Sequence, residues 1–336
     1  MILVTGATGL VGGHLLWKLL QTHDKVVAIR RKTSSIEALK TIFCFYGLDV
    51  EALLQKIEWR DADVLDLDSL VLAFHDIDLV YHCAAVVSLS SSSDTMTDTN
   101  VTGTKNIVEM ALKNRVTKLC YVSSIAACGQ SVDNRYIDEN TNWKNTENRN
   151  AYSRSKYYAE LEIWKGIERG LNAVIVNPGV ILGISGTQTG SSQIFFQVKK
   201  GLPFYTAGGS GYIDVRDVAK SMILLAESDI SAHRFILVSE NCSNKEILSW
   251  MADSFGKRRP QILISKSLMM IIGTVLQFVG NVFGFKPLID KSIARSVSHL
   301  EKYSNNKIKT EINFEFIPIK ECIADVCCFL KLEERK

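Results

Sequence analysis

Tyr152-Ser153-Arg154-Ser155-Lys156 sets a phenol and an ammonium one helical turn apart, at the head of a stretch that continues through Tyr157, Ala159, Leu161 and Trp164. Positions i and i+4 share a helix face, so the two side chains are expected side by side. A phenol titrates near ~10, and carrying a proton near neutrality needs it about 3 units lower, or roughly 4 kcal/mol of extra phenolate stabilisation. A fixed cation beside the phenol acts in that direction. Upstream, the apolar run Lys118–Val122 ends in Ser123-Ser124-Ile125-Ala126-Ala127. That offers a hydroxyl at the carboxyl edge of a sheet, where open α/β folds bind ligands. One of these serines can hold a carbonyl oxygen while Tyr152 gives the proton. Y-x-x-x-K alone is a weak signal, and its weight comes from the residues around it.

A second constellation opens the chain. Ile2–Val4 runs into Thr5-Gly6-Ala7-Thr8-Gly9-Leu10-Val11-Gly12-Gly13, and Leu15, Leu16, Leu19 and Leu20 then follow at helical spacing. Glycines between a first strand and a first helix serve a dinucleotide: Gly6 turns the chain, Gly9 lets backbone approach a pyrophosphate, and Gly12 lets the helix press on the sheet. The next apolar run, Val26–Ile29, ends in Arg30-Arg31-Lys32, with no carboxylate until Glu37. An NAD site wants an acid at that strand end and a 2′-phosphate wants a cation, so NADP(H) is expected over NAD(H), with Arg30 as its contact. Asp63 and Val64, just past the third run, stand where an adenine edge can be met.

These groups need a scaffold. Ile2–Thr5, Val26–Arg30, Ile57–Asp61, Leu79–Ala84, Lys118–Ser123 and Ala173–Asn177 alternate with helical patterns and are nearly continuous in apolar residues. The pattern predicts an α/β, doubly wound parallel sheet of the Rossmann type with a smaller C-terminal substrate-binding lobe. Residues 1–180, with a returning segment near 205–240, are expected to form the dinucleotide domain, and 181–204 with 241–330 the lobe. There the sequence shows a Gly/Ser/Thr-rich loop at Gly183–Ser192, a helix from about Gln193 and a turn-rich stretch at Gly208–Gly211. Ser267–Phe285 is 19 residues without a charge. Its polar stripe of Thr274, Gln277 and Asn281 suits a helix packed in the lobe better than a lipid-facing one.

Composition narrows the partners. Of 336 residues, Lys plus Arg number 39 and Asp plus Glu 36, a net charge of +3 that gives no global case for a nucleic-acid partner. A small-molecule substrate is expected, and a membrane is not. Eight cysteines without a C-x-x-C pair fit a reducing cytoplasm, six scattered histidines argue against zinc or any other metal, and the opening Met1–Gly6 shows no export signal.

Taken together, the chain resembles an extended short-chain dehydrogenase/reductase of the NAD(P)-dependent epimerase/dehydratase group. The resemblance is carried by Thr5–Gly12, His82-Cys83-Ala84-Ala85, Asn100 in Asn100-Val101-Thr102-Gly103-Thr104, Ser123-Ser124, Tyr152 with Lys156, and Asn177-Pro178-Gly179-Val180. It implies a catalytic triad of Ser124, Tyr152 and Lys156, with Ser123 as the alternative hydroxyl and Asn100 supporting the site through water. It also implies that Lys156 binds the nicotinamide ribose, that Ala84 and Ala85 line the cofactor cleft, and that Pro178, Gly179 and Val180 abut the nicotinamide.

Departures from the family pattern narrow the subgroup. Ile125 and Ala126 stand where 4,6-dehydratases carry an acid pair, and water elimination then lacks its proton carriers. Gly211-Tyr212 stands where epimerases usually carry a diphosphate-gripping arginine, and Arg216 reads as a structural ion pair between Asp214 and Asp217. What remains is similar to the dihydroflavonol-reductase-like and 3β-hydroxysteroid-dehydrogenase-like branch, including Tyr303–Ile308. The expected reaction is reduction of a ketone or aldehyde of a small apolar molecule, or the reverse. A nucleotide-sugar epimerase and a non-catalytic NADP(H)-binding regulator are the alternatives, and a homodimer is compatible. Val86, Val87 and Ser88 at the cleft edge, with Phe195, Phe196 and Tyr205, are candidate substrate residues. Cys83 reads as a packing residue.

Overall fold

A strand of four to six β-branched and aromatic residues can bury both faces only inside a sheet covered on each side. The computed structural model, which describes residues 1–47, 49–87, 96–131, 135–143, 150–187, 190–265, 267–268 and 300–333, shows that arrangement. The first half contains β1 (Ile2–Thr5), α1 (Leu10–Leu19), β2 (Val26–Arg30), α2 (Glu37–Phe45), α3 (Val50–Gln55), β3 (Ile57–Asp61), α4 (Leu67–Ala73), β4 (Leu79–His82), α5 (Gly103–Lys113), β5 (Lys118–Val122) and α6 (Ala151–Glu168). It continues through β6 (Ala173–Pro178), β7 (Val180–Leu182), α7 (Gln193–Lys199), β8 (Phe204–Thr206), β9 (Gly209–Asp214), α8 (Val215–Glu227), β10 (His233–Leu237), β11 (Glu240–Ser243), α9 (Asn244–Phe255), β12 (Ile262–Ile264), α10 (Asn306–Ile312) and α11 (Ile319–Glu333).

Seven strands pair in parallel in the order β10-β6-β5-β4-β1-β2-β3. The order reverses between β1 and β4, where open sheets leave a crevice at their carboxyl ends. Alternate residues feed opposite cores. Val4, Ala28, Tyr81, Cys120 and Val174 pack on one face, and Leu3, Val27, Val80, Tyr121 and Ile175 on the other. The six strands expected from the sequence are present, and β10 adds a seventh at the edge beside β6.

Two boundaries shift for a physical reason. β4 ends at His82 rather than Ala84, because the Thr5 hydroxyl accepts the N–H groups of Cys83 and Ala84, both at 3.1 Å. β5 likewise ends at Val122. The stretch expected to be turn-rich at Gly208–Gly211 instead enters β9 at Gly209, in a small sheet ordered β11-β9-β7. Its glycines mark close packing: a Cβ on Gly209 would lie 2.3 Å from the Cys242 carbonyl oxygen, and one on Gly211 2.5 Å from Val238. A separate apolar cluster, including Leu182, Phe195, Val198, Met251 and Ile323, joins β7, α7, α9 and α11. Among the described residues no helix is long and apolar enough to cross a membrane, and all of Ser267–Phe285 beyond Leu268 lies outside them.

Two buried histidines tie the sheet to its coverings. His82 Nδ1 lies 2.7 Å from Thr5 Oγ1 and Nε2 3.0 Å from Thr104 Oγ1, whose hydroxyl donates to the Asn100 carbonyl at 2.6 Å. Thr104 therefore accepts from Nε2–H, and Thr5 donates to Nδ1. His14 Nε2 donates to the Ile184 carbonyl at 2.9 Å, and Nδ1 accepts from the Tyr46 hydroxyl at 2.5 Å. Burial holds both rings neutral, pulling His14 down to about 4 and His82 to about 3. Their contribution to stability is complete above the ordinary value of 6.5 and is lost as pH falls through these lowered values, at roughly 1 kcal/mol per pH unit for each. Asp217, which burial pushes up to about 6, acts oppositely and gains as pH falls from 6 towards 4. Thermal unfolding followed from pH 7 to 5 should show a falling midpoint, and in Asp217→Asn the fall should steepen.

Candidate active site

β1, β4 and β5 stop at Thr5, His82 and Val122, and their carboxyl ends open into a cleft of about 1250 Å³. One wall is the glycine loop. Gly6 has φ +65°, and a Cβ there would lie 2.6 Å from the Ala84 nitrogen, while one on Gly12 would lie 2.2 Å from the Gly6 carbonyl oxygen. α1 starts from Gly9 with no side-chain cap and no acid in its first turn, and Gly9, Leu10 and Val11 line the cleft. Free backbone N–H groups at an uncapped helix start are the donor set a dinucleotide pyrophosphate requires.

The opposite wall is α6. Asn150 Oδ1 caps it by accepting the Ser153 N–H at 2.7 Å, which puts Tyr152 in the first turn and Lys156 one turn on. Lys156 is 2% exposed, donates from Nζ to the Val122 carbonyl at 3.0 Å, and lies 5.4 Å from the Tyr121 ring centroid. Burial pulls its ammonium down to about 8, against the opposing influence of Cys83 and Glu160. Burial also raises the Tyr152 phenol, and a side-chain hydrogen bond with Ser124 lowers it in part. The described residues therefore do not by themselves bring the phenol towards neutrality in the way expected from Lys156 alone. Cys83 lines the cleft, and burial pushes its thiol up to about 12, which leaves it protonated at neutral pH.

The two serines have different surroundings. Ser123 donates from Oγ to Glu160 Oε2 at 2.5 Å. Asn177 donates to the same oxygen at 2.7 Å and to the Ser124 carbonyl at 3.0 Å, and Arg234 reaches Glu160 Oε1 at 3.2 Å. Both serines line the cleft, but only the Ser124 hydroxyl is hydrogen-bonded to Tyr152, and it also accepts the Ala126 N–H at 3.1 Å. Glu160 was not singled out from the sequence, although it follows Lys156 by four residues on the same face of the helix. Asn100 is 1% exposed and acts directly: its Oδ1 accepts the Val86 N–H at 2.7 Å, and its Nδ2 donates to the Val86 carbonyl at 3.1 Å and to Ser155 Oγ at 3.0 Å.

Of the remaining residues expected at the site, Ala85, Val87, Pro178, Gly179 and Val180 line the cleft. Several others do not. Thr5 is buried and locks β1 to β4, Ala84 gives its N–H to Thr5, and Thr8, in the turn between Gly6 and Gly9, is not among the lining residues. Asp63 Oδ1 accepts the Leu65 N–H at 3.0 Å, and the Val64 carbonyl accepts from Asn106 Nδ2 at 2.9 Å. Arg30 lies 3.8 Å from Asp61 and 4.9 Å over the Trp59 ring, as the β2–β3 register dictates. Val86 is held by Asn100, Phe195 is buried in the lobe cluster, and Tyr205 packs on that cluster beneath the Lys245 ammonium at 5.1 Å. Phe196 does not line the cleft, and Ser88 lies outside the described residues. Arg216 is structural, bound to Asp214 through Nε at 2.9 Å and to Asp325 at 2.8 Å, not to Asp217. Residues that the sequence reading did not single out also line the cleft: Gln130, Asn150, Asn244 and Glu301, with Tyr303 beside them. Among the described residues no cluster of metal-ligating side chains occurs.

The model of the NAD dependent epimerase/dehydratase family matches residues 2–237. The chain is 29% identical over 330 residues to a putative dihydroflavonol 4-reductase of Synechocystis sp., covering 96% of this chain and 92% of that protein. It is 29% identical over 274 residues to sterol demethylase protein B of Methylococcus capsulatus, covering 80% and 78%. A crystal structure described as gox2253 superposes with a TM-score of 0.82 at 26% identity, over 100% of this chain and 99% of that one.

The two serines should separate experimentally. Ser123→Ala leaves a buried carboxylate short of a donor and is expected to cost about 1–3 kcal/mol of stability. Ser124→Ala should leave the thermal midpoint close to that of the unaltered protein.

Proposed function

We propose that this chain, an NAD(P)-dependent oxidoreductase that belongs to the NAD dependent epimerase/dehydratase family, reduces a ketone or aldehyde of a small substrate that carries no diphosphate with NADPH, and oxidises the matching alcohol in reverse. The observation that carries this reading is the meeting of Ser124, Tyr152 and Lys156 with the glycine loop in one cleft. The cleft also bears on the substrate. Among its described lining residues Lys156 is the one cation, which is a poor complement to the diphosphate of a nucleotide sugar. Ile125 and Ala126 offer no acid or base for an elimination.

Gly6, Gly9 and the start of α1 would hold the dinucleotide, which would supply the hydride. Tyr152 Oη donates the proton to the carbonyl oxygen, and Ser124 Oγ gives that oxygen a hydrogen bond. Lys156, anchored on the Val122 carbonyl one helical turn from Tyr152, would bind the ribose. Asn100 positions the machinery by joining the chain after β4 to α6 through Val86 and Ser155. Val87, Ile125 and Val180 present apolar surface to the substrate. Residues 1–180 with the return near 205–240 serve the cofactor in this reading, and the remainder serves the substrate.

NADPH is the preferred donor because β2 ends in Arg30-Arg31-Lys32. Arg30 is steadied by Trp59 and Asp61, and Arg31 and Lys32 stand exposed beside it. In fluorescence titrations Arg30→Ala should reduce the preference for NADPH over NADH by about tenfold, the loss expected for one charged contact. With a panel of ketones and aldehydes, Tyr152→Phe should lower NADPH consumption by at least about 10²-fold while NADPH affinity stays within a factor of about two. Full turnover in that variant would refute the assignment.

A further inference from the structure

The proposed reduction leaves one charged group of the cleft unused. Glu301 is the one carboxylate among the described lining residues, and it belongs to the wall built by β9 and the 300–303 segment, whereas Lys156 belongs to the α6 wall. We propose that Glu301 is a substrate anchor that binds a hydroxyl or ammonium group on the part of the substrate beyond the reacting carbonyl. This rests on the reductase reading for where the carbonyl sits.

The segment carrying Glu301 is fixed on both sides. Leu300 bridges to Gly209 of β9, and Tyr303 bridges to Ile137. Asn241 of β11 brackets Tyr303, accepting its N–H at 2.8 Å and donating to its carbonyl at 2.9 Å. The Tyr303 ring is 5% exposed and packs against Gly211, where a Cβ would lie 3.2 Å from it. From this position the Tyr303 hydroxyl donates to Glu301 Oε2 at 2.7 Å. That bond orients the carboxylate and leaves Oε1 without a hydrogen-bond donor among the described residues.

The neighbouring polar groups do not supply one. Asn244 Oδ1 accepts from the Tyr212 hydroxyl at 2.9 Å, and its Nδ2 donates to Thr206 Oγ1 at 2.7 Å. A half-buried, oriented carboxylate with one oxygen that no described residue engages favours a ligand that brings a donor, and a charge-assisted hydrogen bond is the strong kind. It disfavours a ligand that brings a carboxylate or phosphate to the same wall. The chemical class is therefore an uncharged or cationic carbonyl compound with a hydroxyl or amine at its far end.

The test uses the full chain saturated with NADP⁺ and four 4-phenylbutan-2-ols whose ring carries hydroxyl, aminomethyl, hydrogen or carboxylate, titrated by calorimetry. The hydroxyl and aminomethyl compounds should bind about tenfold or more tightly than the unsubstituted one, and the carboxylate compound more weakly. Glu301→Gln should lose the aminomethyl preference and relieve the discrimination against carboxylate. Tyr303→Phe, which frees the carboxylate to rotate, should weaken the hydroxyl preference with Glu301 still present. Equal affinity for all four, or binding of none, overturns the proposal. NADPH consumption with the corresponding butanones is measured in parallel. The expected order of affinities with no ketone reduced would refute the reductase reading and leave the donor-binding carboxylate, whereas reduction without the order would refute the anchor alone.

Discussion

A lysine and a glutamate one turn apart are buried on the same face of α6, each 2% exposed, and much of the site follows from what keeps them there. An ionised group taken out of water is tolerated only when its donors and acceptors are met. Lys156 is met by the Val122 carbonyl at the end of β5. Glu160 is met by Ser123 after β5, Asn177 of β6 and Arg234 of β10, with Trp164 at 3.4 Å from its own helix. The carboxyl ends of two central strands and the edge strand are thereby bound to one helix. Ser124 and Tyr152 inherit their positions from these neighbours: Ser124 follows a serine pinned to Glu160, and Tyr152 precedes Lys156 by one turn.

The other half of the cleft is set by neutral contacts. Thr5, His82, Thr104 and the Asn100 carbonyl form one chain of hydrogen bonds from β1 to the helical turn before α5, with every donor and acceptor role determined. The Asn100 side chain carries that chain on to Val86 and Ser155. The glycine loop closes on the same place, since Gly6 faces the Ala84 backbone without room for a Cβ. The glycine loop and Tyr152 are thus held by two networks that meet at Asn100 and α6.

The sheet was legible because its strands are apolar on both faces: Val80 and Tyr81, or Leu119 and Cys120, point oppositely and are all buried. The seventh strand opens with His233-Arg234, and its apolar part is only three residues, so periodicity gave little to read. The Gly208–Gly211 stretch looked like a turn because glycine ordinarily breaks strands, and close packing, which a sequence does not show, is why glycine stands there. Local motifs placed Tyr152, Lys156 and the loop glycines in the cleft. Which serine hydroxyl is taken up by Glu160 and the partner of Arg30, set by the β2–β3 register, are both tertiary facts. Glu301 carried no signal at all, lying in a short charged stretch with no periodicity until bridges to Gly209 and Ile137 bring it to the cleft.

In the proposed reaction a hydride moves between a dinucleotide on the glycine loop and a substrate carbon next to Tyr152. The most direct test is incubation with NADPH deuterated at one or the other of its two C4 positions, followed by mass spectrometry of the alcohol formed from a ketone that the enzyme consumes. One deuterium on the carbinol carbon from one labelled form, and none from the other, is the predicted result. Alcohol that carries no deuterium from either form, with NADPH bound in the cleft, would contradict the account.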